Sequence, residues 1–182
     1  MPLLIDKPLA TKEDFAEFRD LSANIKDDKL LIFIRESQTV EIRDFIGAPL
    51  YTLLQLDYIE GTKSFSQAKF SELWFGKDYP NSQGHTVRFN GLMSALIYWS
   101  YTRFLLQQQV NVSRFGVESV QNEISEDVDV AQVRIKGRDS QQMALRFQND
   151  AERFLKTFPA IYPEYIPGNT NPRRTSFEFF KV

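Results

Sequence analysis

A chain of 182 residues with 42% hydrophobic and 25% charged side chains suits one domain, or one domain with an arm, and can bury a substantial core. Twenty-two basic against 24 acidic residues give a formal charge of −2, which argues against a surface devoted wholly to nucleic acid, although a local basic patch stays open. The absence of cysteine and the single histidine, His85, exclude disulfides, thiolate-held metals, thiol catalysis and multi-histidine metal sites.

Taken in chain order, Thr11-Lys12-Glu13-Asp14 has the form of a capping box, and Phe15, Phe18 and Leu21 follow at helical spacing, so a short helix is predicted over 11–22. The start Met1-Pro2-Leu3-Leu4-Ile5-Asp6 has neither a basic stretch nor a sustained apolar one, so no secretory signal is expected. Asp27-Asp28 places acids before Leu30, Leu31, Phe33 and Ile34. The stripe resumes at Ile42, Phe45 and Ile46 and ends at Gly47 and Pro49, which predicts a helix over 28–46. Leu50, Leu53, Leu54 and Leu56 predict another helical segment ending at Asp57, and 64–76 a short one carrying Phe70, Leu73, Trp74 and Phe75. Residues 76–86, rich in Gly, Pro, Asn and Ser, are expected to form a loop.

Asn90 is a natural cap for the next helix, whose Leu92, Met93, Leu96, Ile97, Trp99, Phe104, Leu105 and Leu106 lie almost all round it and mark a buried central helix. From 110 to 124 the helical period fails, and β-branched residues with Gly116 predict an extended arm or hairpin. Ser125-Glu126-Asp127 then opens a helix with a stripe of Met143, Phe147, Ala151, Phe154 and Phe158, expected to run unbroken to 158 with a weak point at Gly137. Pro159, Pro163, Pro167 and Pro172 forbid regular helix beyond it and lead to an aromatic tail at 175–182. The predicted fold is all-α: a small helical bundle with an N-terminal extension over 1–26, a helical domain over 27–165 and an extended tail over 166–182. No apolar run approaches the ~18 residues of a membrane-spanning helix, so no membrane contact is expected.

Catalytic chemistry finds little footing. His85 sits in the Gly/Asn/Ser loop without a nearby nucleophile or orienting carboxylate, and is read as a surface residue. Glu123, Glu126, Asp127 and Asp129 are the tightest acidic cluster. A divalent metal there would need a loop the sequence lacks, and acids at a helix start explain it more simply. Lys136, Arg138, Arg146 and Arg153 are read as a solvated helix face, and Arg173-Arg174 beside aromatics as a contact to an acidic groove or to nucleic acid. No cofactor and no enzymatic activity are expected. The 16 Phe, 7 Tyr and 2 Trp make 14% aromatic, more than a single core of this size needs, and the terminal Phe177, Phe179 and Phe180 lean toward aromatic interfaces.

The ordered set Ile46-Gly47-Ala48-Pro49-Leu50-Tyr51, Val87-Arg88-Phe89-Asn90-Gly91-Leu92, Tyr98-Trp99-Ser100-Tyr101-Thr102-Arg103-Phe104 and, above all, Gln107-Gln108-Gln109-Val110-Asn111-Val112-Ser113-Arg114-Phe115-Gly116-Val117 resembles the small head–tail connector (adaptor) proteins of tailed bacteriophages, particularly crAss-like and related phages of Bacteroides-type bacteria. The resemblance covers roughly residues 28–165. It implies a structural virion protein made in the host cytoplasm: a ring, commonly dodecameric, beneath the portal in the neck, which continues the DNA channel and carries the next neck or tail protein. DNA would pass without sequence-specific binding. The extended arm, with Val112, Arg114, Phe115 and Val117, is expected to contact a neighbouring subunit or line the channel. Arg173, Arg174, Phe177, Phe179 and Phe180 are expected to dock on a partner such as the portal. The extension before Asp27 and the tail after Gly168 depart from the pattern and leave open which ring this would be. Two other classes stand beside it: a nucleic-acid-binding helical adaptor using the basic residues, and a carboxylate-dependent metal hydrolase using Glu126, Asp127 and Asp129.

Overall fold

In the computed structural model the described residues are 7–16, 18, 27–81, 83–107, 110–113, 116–119 and 130–165. The fold is mainly helical but not all-α, because three two-stranded antiparallel sheets interrupt the helices. Helix α1 spans Lys12–Ala16, shorter than the expected 11–22; positions 17 and 19–22 lie outside the described residues. The box at its start is closed by Asp14, whose carboxylate accepts from the Thr11 N–H at 2.7 Å.

The predicted helix over 28–46 forms as one rod of three pieces: α2 (Asp27–Ser37), a π-helical turn (Gln38–Ile42) and α3 (Arg43–Ile46). Burial explains the π turn. Leu30, Ile34, Gln38, Ile42 and Ile46 are all 0–1% exposed and recur strictly every four residues. In an α-helix of 3.6 residues per turn, each step of four overshoots by about 40° and would carry the stripe off the core. The wider turn, closed by the Arg43 N–H on the Gln38 carbonyl, takes up part of that drift.

Helix α4 (Ala48–Asp57) begins after Gly47 with Pro49 in its first turn and ends at Asp57 as the leucine pattern predicted. Strands β1 (Tyr58–Ile59) and β2 (Ser64–Phe65) then pair, and α5 covers Ala68–Phe75, so the start of the predicted 64–76 helix is strand instead.

The expected loop at 76–86 is a hairpin of β3 (Lys77–Pro80) and β4 (Thr86–Phe89). The Asn/Gly turn chemistry is real: the Asn81 side chain accepts from the Gln83 and His85 N–H groups, both at 2.9 Å. The flanking residues alternate, however. Lys77, Tyr79, Val87 and Phe89 share one face, with Tyr79 and Phe89 buried, while Asp78, Pro80, Thr86 and Arg88 are exposed, and Arg88 pairs with Asp78 directly across at 3.2 Å.

Helix α6 (Gly91–Gln107) is the buried centre, as predicted. Its inward hydroxyls avoid stranding by donating one turn back, Ser94 to the Asn90 carbonyl, Ser100 to Leu96 and Thr102 to Tyr98. Strands β5 (Val110–Ser113) and β6 (Gly116–Ser119) form the third hairpin. Helix α7 (Val130–Thr157) passes through Gly137 without a break. Gly137 is no weak point. It is buried with Ser140, Ala144 and Ala151 in a seam of small residues, and a methyl group there would sit 3.7 Å from Leu106, an ordinary contact. Ser140 also donates to the Tyr98 carbonyl of α6 at 2.9 Å.

Much of the aromatic surplus serves this interior. Phe154 stacks on Phe89 at 4.4 Å and meets Tyr79, Phe158 and Tyr162 at 5.1–5.8 Å, which seals the hairpin and the segment after α7 onto the core. Trp74, Trp99 and Phe104 are core as expected, whereas Phe75 is 40% exposed.

Candidate functional site

Three features offer sites for contact or chemistry. The first is a polar cradle around the N-terminal segment. Gln38 projects inward from the π turn, and Tyr51 and Gln55 stand one turn apart on α4. Each glutamine grips the extended chain at residue 7 or 9. The Gln38 carbonyl oxygen accepts from the Leu9 N–H at 2.9 Å, and that of Gln55 from the Lys7 N–H at 3.1 Å. Both side-chain amides donate to the Lys7 carbonyl, at 2.8 and 3.1 Å, and both donate to the Tyr51 hydroxyl oxygen, at 2.9 and 3.0 Å. Two buried amides would each cost a few kcal/mol if left bare; here each makes three hydrogen bonds, so the cradle is satisfied only while a main chain lies in it. Leu9, Ala10 and Phe15 complete the contact as buried apolar groups. At the rim the Lys7 ammonium donates to the Tyr58 carbonyl at 3.0 Å and the Lys63 ammonium to the Thr11 hydroxyl at 2.8 Å. Burial among these groups pushes the Tyr58 hydroxyl pKa up, and Asp14 adds to that.

The second feature is a half-buried charge cluster. Arg103 of α6 reaches across to the π turn and grips Glu41 with two N–H groups, at 2.6 and 3.3 Å, and donates a third to Glu36 at 3.3 Å. Burial pushes the Glu41 carboxyl up from the usual carboxylate range, and Arg103 pulls against it. Beside the cluster lies a cleft of about 20 Å³, lined by Glu41, Trp99, Arg103 and Arg138 among others, with room for little more than one water. The guanidinium ties the central helix to the wide turn.

The third feature is the β5–β6 hairpin directly after α6. Val112 and Val117 face one another in its register, while Arg114 and Phe115 lie outside the described residues. Its sheet holds these two strands and no third among the described residues.

The remaining sequence-predicted sites are distributed as follows. His85 is exposed in the β3–β4 turn, where its N–H donates to the Asn81 side chain. Lys136, Arg138, Arg146 and Arg153 are all exposed along α7, and Arg153 pairs with Asp150 at 3.3 Å. Glu123, Glu126, Asp127, Asp129, Arg173, Arg174, Phe177, Phe179 and Phe180 lie outside the described residues. Among the described residues no group of three or more His, Asp or Glu side chains is placed to hold a metal ion, and no helix is long and apolar enough to cross a membrane. Sequence reasoning missed Gln38, Gln55, Glu41 and Arg103. The available signal was the four-residue period from Leu30 to Ile46, which puts Gln38 on the buried stripe.

A mainly helical chain with three short strand pairs among the described residues, organised around buried polar clamps, is what the geometry defines. The chain belongs to a family of unknown function, DUF6712, whose profile matches residues 42–175. Comparison with curated proteins and with solved structures finds no match.

Proposed function

We propose that the protein is a structural ring subunit, a head–tail connector of a tailed-phage neck that joins the portal to the next neck or tail protein, and that it is not an enzyme. The observation that carries this reading is the β5–β6 hairpin, which falls in the stretch where the resemblance to connector proteins is strongest. Among the described residues no third strand joins it; a two-stranded hairpin by itself is marginally stable in water, and the outer edges of such a pair offer backbone groups for pairing. Pairing with a neighbouring copy satisfies both needs, and a closed ring requires such head-to-tail contacts between unlike surfaces. The tail over 166–182, with Arg173, Arg174, Phe177, Phe179 and Phe180, is assigned to the portal contact.

Electron microscopy of the purified protein, alone and with its candidate portal, tests the reading. Closed rings with a central channel seated on the portal are expected. Deleting everything after residue 168 should leave the melting temperature of the subunit unchanged and abolish portal binding. A single-chain protein that binds DNA with a steep salt dependence would replace the reading by the adaptor one. Metal-dependent cleavage lost in Asp127→Asn would replace it by the hydrolase one.

A further inference from the structure

We propose that the Gln38–Tyr51–Gln55 cradle is an exchange site, in which residues 7–18 of a second copy of this chain replace the chain's own. The inference stands on the cradle and does not depend on the neck reading.

The segment is a self-contained module. It carries its own cap, Thr11 with Asp14, and its own apolar anchors, Leu9 and Phe15, with Phe18 laid against Tyr98 at 6.5 Å. The cradle recognises it chiefly through main-chain atoms, the Lys7 N–H and carbonyl and the Leu9 N–H. Rim contacts, Lys63 to Glu13 and Lys12 to Asp27, also involve groups that every copy carries. A second copy therefore offers the same bonds with the same geometry, so exchange loses no contact while tying two subunits together.

Covalent geometry permits it. Phe18 and Asp27 are separated by residues 19–26, eight in all, which reach roughly 26–29 Å when extended. At home, α1 packs on α2 and Lys12 pairs with Asp27 at 3.1 Å. That reach is close to the ~30 Å width of a small domain, so an adjoining copy whose cradle lies within it can receive the segment. In an assembly, the neighbour's cradle stands at high effective concentration, and each segment crossing a boundary makes that boundary harder to open.

The chain has no cysteine, so two can be introduced cleanly. Glu13 and Lys63 are both exposed and make a native ion pair at 3.4 Å. A chain with Glu13→Cys and a differently tagged chain with Lys63→Cys are co-expressed and treated with a short bis-maleimide. A bond between positions 13 and 63 can then form only between copies. The expected result is a product of twice the chain mass carrying both tags. It should be absent when Lys63→Cys is replaced by Arg88→Cys, which lies on the exposed face of β4. A full-length chain bearing both Glu13→Cys and Lys63→Cys shows whether the contact forms at all. Closure of that chain at single-chain mass, with no mixed product from the co-expressed pair, would overturn the proposal. So would a doubly substituted chain that forms no 13–63 bond at all, neither within one copy nor between two, or a protein that remains single-chain.

Discussion

Replacing Gly76 by alanine should be among the most damaging single-methyl additions this fold can suffer. Gly76 ends α5 at φ +96°, Gly91 opens α6 at φ +81°, and the two lie back to back at the base of the β3–β4 hairpin. A Cβ on Gly76 would meet the Phe89 carbonyl oxygen at 2.2 Å and the Asn90 carbonyl carbon at 2.8 Å, and backbone cannot swing aside as a side chain does. With ψ at 169° this backbone lies in a positive-φ region open essentially to glycine alone, which costs an L-residue about 1–3 kcal/mol. Prising the two chain segments apart adds about 1–3 kcal/mol, the usual cost of overpacking. The expected loss is therefore about 2–6 kcal/mol, a large share of the ~5–15 kcal/mol that holds a domain together. Gly84, at φ +80° with nothing within 4 Å, separates the two terms: Gly84→Ala should lose only the conformational part. Urea unfolding followed by far-UV circular dichroism measures both variants. Equal losses for Gly76→Ala and Gly84→Ala would refute the contact reasoning. The double variant Gly76→Ala/Gly91→Ala should lose less than the sum of the singles, because one separation relieves both overlaps.

Gln38→Leu strands the Leu9 N–H and removes one of the donors to the Lys7 carbonyl; a loss of about 2–4 kcal/mol is expected, together with faster tryptic cleavage after Lys12. Glu41 should show an inverted pH response. Because burial raises its folded pKa above the unfolded value, the folded state takes up a proton first as pH falls. Stability from this group therefore grows on going down through the window between the two, so wild type should gain on Glu41→Gln there, as read from denaturant midpoints across pH. Glu13 has the opposite sign: the Thr11 hydroxyl lowers its pKa, and its contribution fades as pH falls through the folded value, so Glu13→Gln should flatten the acid limb. Tyr162→Phe removes the hydroxyl that donates to the Lys69 carbonyl at 2.7 Å and should cost about 1 kcal/mol in the same unfolding experiment.

The sequence disclosed the elements whose stabilisation is mostly apolar. The all-round hydrophobicity of 91–107 and the leucines of 50–56 place α6 and the end of α4 without tertiary information. It hid those elements in which polar groups do structural work. Gln38, Thr39 and Glu41 read as a gap in a stripe, although Gln38 is its most deeply placed polar member. Gln55, lodged among leucines, gives no sign that it binds a chain 48 residues away. The β3–β4 strands were obscured by Lys77, Asp78, Pro80 and Arg88, four polar or breaking residues that all tolerate exposure or pair with one another. Their alternation with Tyr79, Val87 and Phe89 is only two periods long on each strand, too short to outweigh the turn residues between them. The candidate site shared this fate: the cradle is built from amides and main chain, which carry no motif.

The π turn has a consequence for how this chain can change length. A wide turn holds one residue more than the α-helical turn it replaces, so it behaves as an insertion already absorbed by the rod. Val40 lies on its exposed side. Losing that one residue would let 27–46 close into plain α-helix with Leu30 and Ile34 on one end and Ile46 on the other still facing the core. Gln38 and Glu41 could not both keep their inward aim, and the grips on Lys7 and on Arg103 would go with them. A chain shortened by a single residue here would thus keep its scaffold and forfeit its clamps, which makes this rod a point where architecture and attachment can be gained or lost separately.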